Sequence, residues 1–436
     1  MTLSEIEVPK LKISNTLLLV LMRFCIDAIY LFFVVNSYGY YGFGLDFNLL
    51  RYIISLCITF VYAFLADYVL HQDDFISNIV YFLILLYFIP GETVFSFNPR
   101  LDLFHVYVVL YFCVLFFFYC LYEKTSGFVT NYSIGKLFGK KTAVMIITFL
   151  SLVLLFLSYR WAQFRLFVRI DDVYKFRLNA RLLDIPSILR YFRSWFSIVI
   201  PFFFVYSVIK KRYLFSFVLL FLQLLDFGFD GQKIILFRIP FEIVVAFFYN
   251  RDRRPLIPSM LTLVCFGSAV VCLIRGSSLI GDYIIRRIMI LPTLLGGYAF
   301  DFFSTHSPDF LRSSFLRHFG FVSPYAEQGG IPRIIGLTYF NSTDMAADVG
   351  LAGDAFSQFG WFGLFIFPVL LVMMLGLMSS VSKKADRKLV MIISFIFALI
   401  FIDTSFFTVM LTDGYILVVI LFLLIGQQVA EEENTP

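Results

Sequence analysis

Arginine is the residue whose placement in this chain could do chemistry. Arg286 and Arg287 are adjacent, and Arg312, Arg317 and Arg333 follow within the same stretch between apolar segments. A second group lies in RWAQFRLFVRIDDVYKFRLNAR at 160–181. There Arg165 and Arg169 are four apart, as are Arg177 and Arg181, so each pair shares a helix face. Trp161, Phe164, Phe167 and Phe176 lie between them, the pattern of an amphipathic segment at a membrane interface. A guanidinium is a planar fork that grips phosphate oxygens through two hydrogen bonds. Lys233, at the end of Asp230-Gly-Gln-Lys, adds a cation between the two groups. Such residues bind an anionic phosphate ester without needing a metal. No Cys/His cluster has metal-ligand spacing, and Asp226 with Asp230 are read as helix-end residues, not ligands.

Plainer readings exist for each feature. The 160–194 arginines would also adhere to anionic lipid head groups. Two separate arginine-rich stretches are harder to assign to adhesion alone. His306 and His318 are read first as surface or hydrogen-bonding residues and second as catalysts. Arg238 and Glu242, four apart in an apolar run, are read as a structural pair facing a helix bundle.

The elements that must position these residues are membrane helices. The 436-residue chain is 60% hydrophobic and only 15% charged, with a mean hydropathy of +0.87. A soluble domain is nearer half apolar with about a quarter charged. The formal charge of +5 does not suggest nucleic acid. All six cysteines fall in apolar runs and are read as small buried hydrophobes. The first long apolar run follows MTLSEIEVPKLKISN with no small-residue cleavage site, so it is read as a retained span.

Spans are expected at 15–36, 51–70, 76–91, 103–122, 142–159, 195–209, 213–227, 234–249, 257–274, 359–379, 389–408 and 413–427. That is an all-α polytopic membrane protein of about twelve helices. Four basic clusters follow even-numbered spans: Lys124, Lys136, Lys140 and Lys141; Lys210 to Arg212; Arg251, Arg253 and Arg254; Lys383, Lys384, Arg387 and Lys388. Positive charge marks cytoplasmic loops, so these loops and both termini are expected inside. The two long stretches, 160–194 and 275–358, then lie outside, and their cations are almost all arginine. Within the second, 288–303 is apolar but interrupted by Pro292, Gly296 and Gly297, which suggests a re-entrant or interfacial segment.

The segment 286–363 resembles the Wzy-type O-antigen or oligosaccharide repeat-unit polymerases. Carrying the resemblance are R-R-x-x-x-x-P at Arg286, Arg287 and Pro292, and Y-x-x-D-F-F from Tyr298 to Phe303. Phe340-Asn341 and G-D-A-F-x-x-F-G from Gly353 to Gly360 add to it. The Asp230–Lys233 turn is similar to a basic turn opening a middle span in that family. The resemblance implies a bacterial cytoplasmic-membrane enzyme of the GT-C type, working without a metal or other cofactor on the periplasmic side. Its substrates would be two undecaprenyl-pyrophosphate-linked oligosaccharides, donor and acceptor, and a chain-length regulator would be its partner. Asp46 is the one acid in the first outer loop, which lacks the acidic pair of metal-dependent relatives.

The reaction so implied displaces a lipid pyrophosphate from an anomeric carbon. Arg286 and Arg287 are expected to hold the donor pyrophosphate, supported by Arg312, Arg317 or Arg333, while Arg165, Arg169, Arg177, Arg181 and Lys233 gather the acceptor. His318, His306, Asp301 and Asp354 are the candidate bases; Tyr298 and Asn341, within the motifs, are candidate substrate contacts. The neighbouring expectation is an O-antigen ligase, and one from another class is a lipid-linked oligosaccharide flippase. A flippase should carry charges along its spans and show repeated halves, and no repeat is visible.

Overall fold

The structure, a computed structural model, describes residues 14–125, 140–162, 183–230, 233–249 and 256–432. All regular elements among the described residues are helical. In chain order these are α1 (Asn15–Tyr41), α2 (Leu49–Leu70), α3 (Phe75–Phe97), α4 (Pro99–Thr125), α5 (Lys140–Leu157) with the turn Ser158–Ala162, and α6 (Ser187–Ile209). Then come α7 (Tyr213–Asp230), α8 (Lys233–Phe248), α9 (Leu256–Arg275), α10 (Gly281–Thr305), α11 (Ile331–Phe340) and α12 (Gly350–Phe359). The chain closes with α13 (Gly363–Ser382), α14 (Arg387–Asp403), α15 (Phe406–Leu411) and α16 (Tyr415–Glu432). Nine helices among the described residues are long and apolar enough to cross a membrane, with α12 and α13 counted as one. The protein is therefore a helical membrane-embedded bundle. Helices suit that setting because they satisfy their backbone polar groups internally.

Local chemistry sets the ends. The Asn48 side chain accepts from the backbone N–H groups of Leu50 and Arg51, Asp74 from Ser77, and Asp386 from Lys388, each opening a helix. α3 is apolar nearly all round and every residue of it is buried, so it is the central post. A π turn at Ile84–Phe88 precedes its Pro90, easing the chain past a residue with no N–H to donate. α14 packs along α3, α13 along α4, and α9 along α1.

Three expectations change here. The run 288–303 is not interrupted: α10 is one continuous helix, beginning with a ten-residue π segment, Gly281–Ile290. Pro292 sits just past the junction between the π segment and the α-helical part, within the continuous helix. Gly296 and Gly297 are contact points. A Cβ on Gly296 would stand 2.8 Å from Phe104, and one on Gly353 of α12 would stand 2.9 Å from Gly296 Cα. Helices in lipid gain from such close approach because apolar burial gives them little drive to associate. Second, the 160–194 loop is shorter than read, since α6 begins at Ser187 and takes in Arg190 and Arg193. Third, the span read at 389–408 ends at Asp403.

Two separate points of α10 meet ends of neighbouring helices. Its start lies against Ser268, Cys272 and Ser278, at the end of α9. Further along, the Tyr298 hydroxyl donates to Tyr41 O at the end of α1, and Gly297 lies against Leu101 at the start of α4. Between these points Thr293 reaches Gly91 in the buried post. α10 thus touches the ends of α1 and α9, the start of α4 and the buried post along its length.

Candidate functional site

α10 borders a polar cavity of about 810 Å³. Arg286 and Arg287 line it from α10, Tyr40 and Tyr41 from the end of α1, Tyr339 and Phe340 from α11. Asn341, Asp344 and Asp348 come from the following loop, and Asp403 from the end of α14. The π geometry explains how two consecutive arginines share a cavity. At roughly 4.4 residues per turn, neighbours are about 80° apart instead of 100°. Arg286 and Arg287 therefore face one side. Ile284, Ile288 and Met289 face another, where they line a separate apolar cavity of about 260 Å³ with α3, α8, α9 and α14.

Arg286 is held firmly. Its Nε donates to Asp282, four residues earlier, at 2.6 Å, and its guanidinium stands 3.8 Å from the Tyr38 ring centre. The side chain is 5% exposed. This is a pre-set cation whose plane is already fixed. Beside it Tyr298 stacks on Tyr339 at 4.4 Å, and the Tyr339 hydroxyl donates to Asp301 at 2.5 Å. Burial and the Asp301 carboxylate push the Tyr339 phenol upward from its ordinary range, so it stays a donor. Asp301 is exposed at the rim and reaches the cavity through Tyr339. Asn341 adopts the left-handed conformation that ends α11 and turns the chain into the cavity wall.

Other expected site residues lie elsewhere. Asp354 is 3% exposed within α12. Its oxygens accept from Phe406 N at 3.1 Å and Gln358 Nε2 at 3.2 Å, so it holds the start of α15 and does not line the cavity. Arg312 donates to the Asp309 and Pro308 carbonyls, which stiffens its own loop. Arg333 donates to Thr343 O, and Arg317 is exposed on the 306–330 loop. None of these three lines the cavity. His306 stacks on Phe302 at 4.0 Å, with Nδ1 at 2.9 Å from Phe302 O, a hydrogen-bonding surface position. Arg165, Arg169, Arg177 and Arg181 lie outside the described residues, as do the side chains of Lys233 and His318.

Two further charge clusters are closed within the bundle. Arg23 donates to Asp27 at 3.0 Å and to Ser96 at 2.8 Å. Tyr52 also donates to Asp27, while Ser55 donates to Glu92, whose other oxygen meets His105 Nε2 at 2.9 Å. On the far side, Arg193 donates to Asp226 at 2.9 Å, and Arg238 pairs with Glu242 at 3.3 Å. Asp226 is thus the buried partner of a helix arginine and not a helix-end residue. Arg193, counted with the loop cations, is a helix-packing residue.

The residues missed by sequence reasoning are the tyrosines of 38–42 and the carboxylates Asp344, Asp348 and Asp403. A weak signal existed in the density of YGYYG and the four-residue spacing of the first two aspartates. Among the described residues no group of three or more His, Cys, Asp or Glu side chains is arranged to hold a metal. The fold and cavity define a polytopic helical membrane protein with an arginine-lined polar cavity at one end of its bundle. Comparison with protein-family models, curated proteins and solved structures found no match.

Proposed function

We propose that the protein is a repeat-unit polymerase of the Wzy type, joining lipid-pyrophosphate-linked oligosaccharides into surface polysaccharide. The observation that carries this reading is the pair Arg286 and Arg287 in one cavity with aromatic rings and carboxylates. Arginines supply charge compensation for a pyrophosphate leaving group, rings suit sugar faces, and a carboxylate suits a hydroxyl proton. α10 separates this polar cavity from an apolar one.

In the proposed reaction an acceptor hydroxyl oxygen attacks the donor's anomeric carbon. The bond from that carbon to the pyrophosphate oxygen breaks, and the pyrophosphate leaves on its carrier with both bonding electrons. The hydroxyl proton passes to a cavity carboxylate. Asp344, Asp348 and Asp403 are preferred here to the four candidates read from sequence, His318, His306, Asp301 and Asp354, because they border the cavity. No separate acid is needed, since the leaving group is a stable anion.

In this proposal the chain crosses twelve times, with both termini inside and the cavity on the outer face, an orientation that the basic clusters support; the bacterial cytoplasmic membrane is what the resemblance implies. In that topology α10 enters and leaves from the outer side without crossing. The contacts of Gly281 with the end of α9, and of Gly297 and Tyr298 with the start of α4 and the end of α1, support this.

The test is reconstitution of the purified chain in liposomes with lipid-linked repeat units. Polymer ladders from wild type, and shorter or fainter ladders from Arg287→Lys, are expected. Lysine retains charge but not the fork. Joining of units only to a lipid A core acceptor would replace this reading by a ligase. Movement of units across the bilayer without joining would replace it by a flippase.

A further inference from the structure

We infer that the tyrosine segment 38–42 is a carbohydrate platform that recognises the sugar next to the pyrophosphate; the inference rests on the function proposed above. Tyr40 is 78% exposed, unusual for a large ring, yet it lines the cavity with Arg286 and Arg287. A tyrosine serving only as a membrane-interface anchor has no reason to border two arginines and three carboxylates.

The segment is pinned from several directions. Gly42 takes φ +100 and its N–H donates to Gly39 O at 2.8 Å, closing a tight turn. Tyr298 donates to Tyr41 O at 2.6 Å, and Asn98 donates to Gly42 O at 3.1 Å. A Cβ on Gly42 would collide with the Tyr298 hydroxyl. The rings are also fixed against one another: Tyr40 to Tyr41 at 4.7 Å, and Tyr41 to Phe340 at 5.3 Å. Tyr38, at the start of the segment, lies under the Arg286 guanidinium.

This is a rigid aromatic wall with one open face, joined at its base to a phosphate-binding cation. The negative face of an aromatic ring attracts the weakly positive C–H face of a pyranose. Because the wall is already ordered, little conformational entropy is lost when a sugar stacks on it. Carboxylates across the cavity accept from sugar hydroxyls and fix the orientation of the ring. The ligand class is therefore a glycosyl pyrophosphate, with the sugar on Tyr40 and the pyrophosphate on Arg286 and Arg287.

The experiment measures binding by the purified full-length chain in nanodiscs. One probe is undecaprenyl pyrophosphate, and the other is the same lipid bearing a single oligosaccharide repeat unit extracted from the producing cells. Tyr40→Ala should weaken the glycosylated lipid roughly fivefold to tenfold and leave the bare lipid unchanged, while Tyr40→Phe keeps both. Arg287→Ala should weaken both probes. A Tyr40→Ala protein that binds both probes like wild type, or loses both equally, overturns the platform and leaves the pyrophosphate site standing. A wild-type chain that binds neither probe overturns the function proposed above together with the platform. Melting temperature and elution profile establish that each variant is folded, and Gly42→Ala, which displaces the turn but leaves every ring, should reproduce the sugar-selective loss.

Discussion

Arg286 and Arg287 border an open cavity, whereas Arg23, Arg193 and Arg238 are closed inside the helix bundle against carboxylates. The residue type is the same and the surroundings differ. Arg23 and Arg238 each pair with an acid four residues along their own helix and are enclosed among buried side chains. Arg286 also has such a partner, Asp282, yet it lines a cavity together with its neighbour Arg287. The difference teaches that a guanidinium near a membrane is assigned by what it faces. An i, i+4 acid alone does not separate a packing role from a binding role.

The sharpest way to break the comparison is to remove one partner of a closed pair. Arg238→Ala leaves Glu242 buried and uncompensated, and should destabilise the bundle by about 3–5 kcal/mol. The double change Arg238→Met with Glu242→Leu should recover most of that, because two apolar groups of similar size need no mutual charge. Thermal unfolding of detergent-solubilised protein reads both. Equal melting temperatures for wild type and Arg238→Ala would place Arg238 with the cavity arginines.

The complementary change is Arg287→Ala. It should lower polymerisation by roughly tenfold to a hundredfold or more, from the loss of a charge-assisted bond worth about 1.5–3 kcal/mol. Its melting temperature should fall less than that of Arg238→Ala, because Arg287 is half-buried at a cavity wall whereas Arg238 is enclosed in the bundle. A variant that loses stability in proportion to activity would erase the distinction between the two groups.

Gly353→Val tests the contact that holds the cavity's supporting helix. The added side chain enters the Gly296 contact, where even a Cβ stands 2.9 Å from the opposing Cα. Overpacking of this kind costs about 1–3 kcal/mol. Activity should fall with stability here, unlike in Arg287→Ala, because α10 itself shifts. Full activity with an unchanged melting temperature would mean that α10 is positioned by other contacts.

Some of this was legible in the sequence. Apolar runs of span length announce the helices, and the arginine pair with its following proline marks α10 as unusual. Its continuity was hidden, because Pro292, Gly296 and Gly297 read as breakers by local rules. Those residues instead sit within a continuous helix, the two glycines at helix contacts decided by neighbours far along the chain. Pairing across distance was hidden for the same reason: Arg193 and Asp226 are 33 residues apart, and Tyr41 and Tyr298 are 257 apart. Asp403 was hidden by a boundary, because reading the span to 408 put it inside the membrane. Asp354 drew attention through a motif, but its hydrogen bonds give it to the packing of α15.

The smallest expected effect concerns Asp413, in the turn before α16, whose carboxylate accepts from Ser194 of α6 at 3.2 Å. Burial raises its pKa from the ordinary 3.8 to about 6, against the opposing pull of the Ser194 and Thr412 hydroxyls. A raised pKa means that the folded state binds this proton more tightly than the unfolded chain. Its stabilisation is therefore complete below about pH 4 and is lost as pH rises through 6. Asp413→Asn keeps a neutral group of the same shape at every pH. The variant should be more stable than wild type by about 1–2 kcal/mol at pH 7.5, with the difference vanishing toward pH 4. Melting curves of both proteins across that range supply the measurement. A difference that is constant with pH would mean that Asp413 stays ionised in the fold and belongs with the charged groups of the cavity instead of the closed bundle.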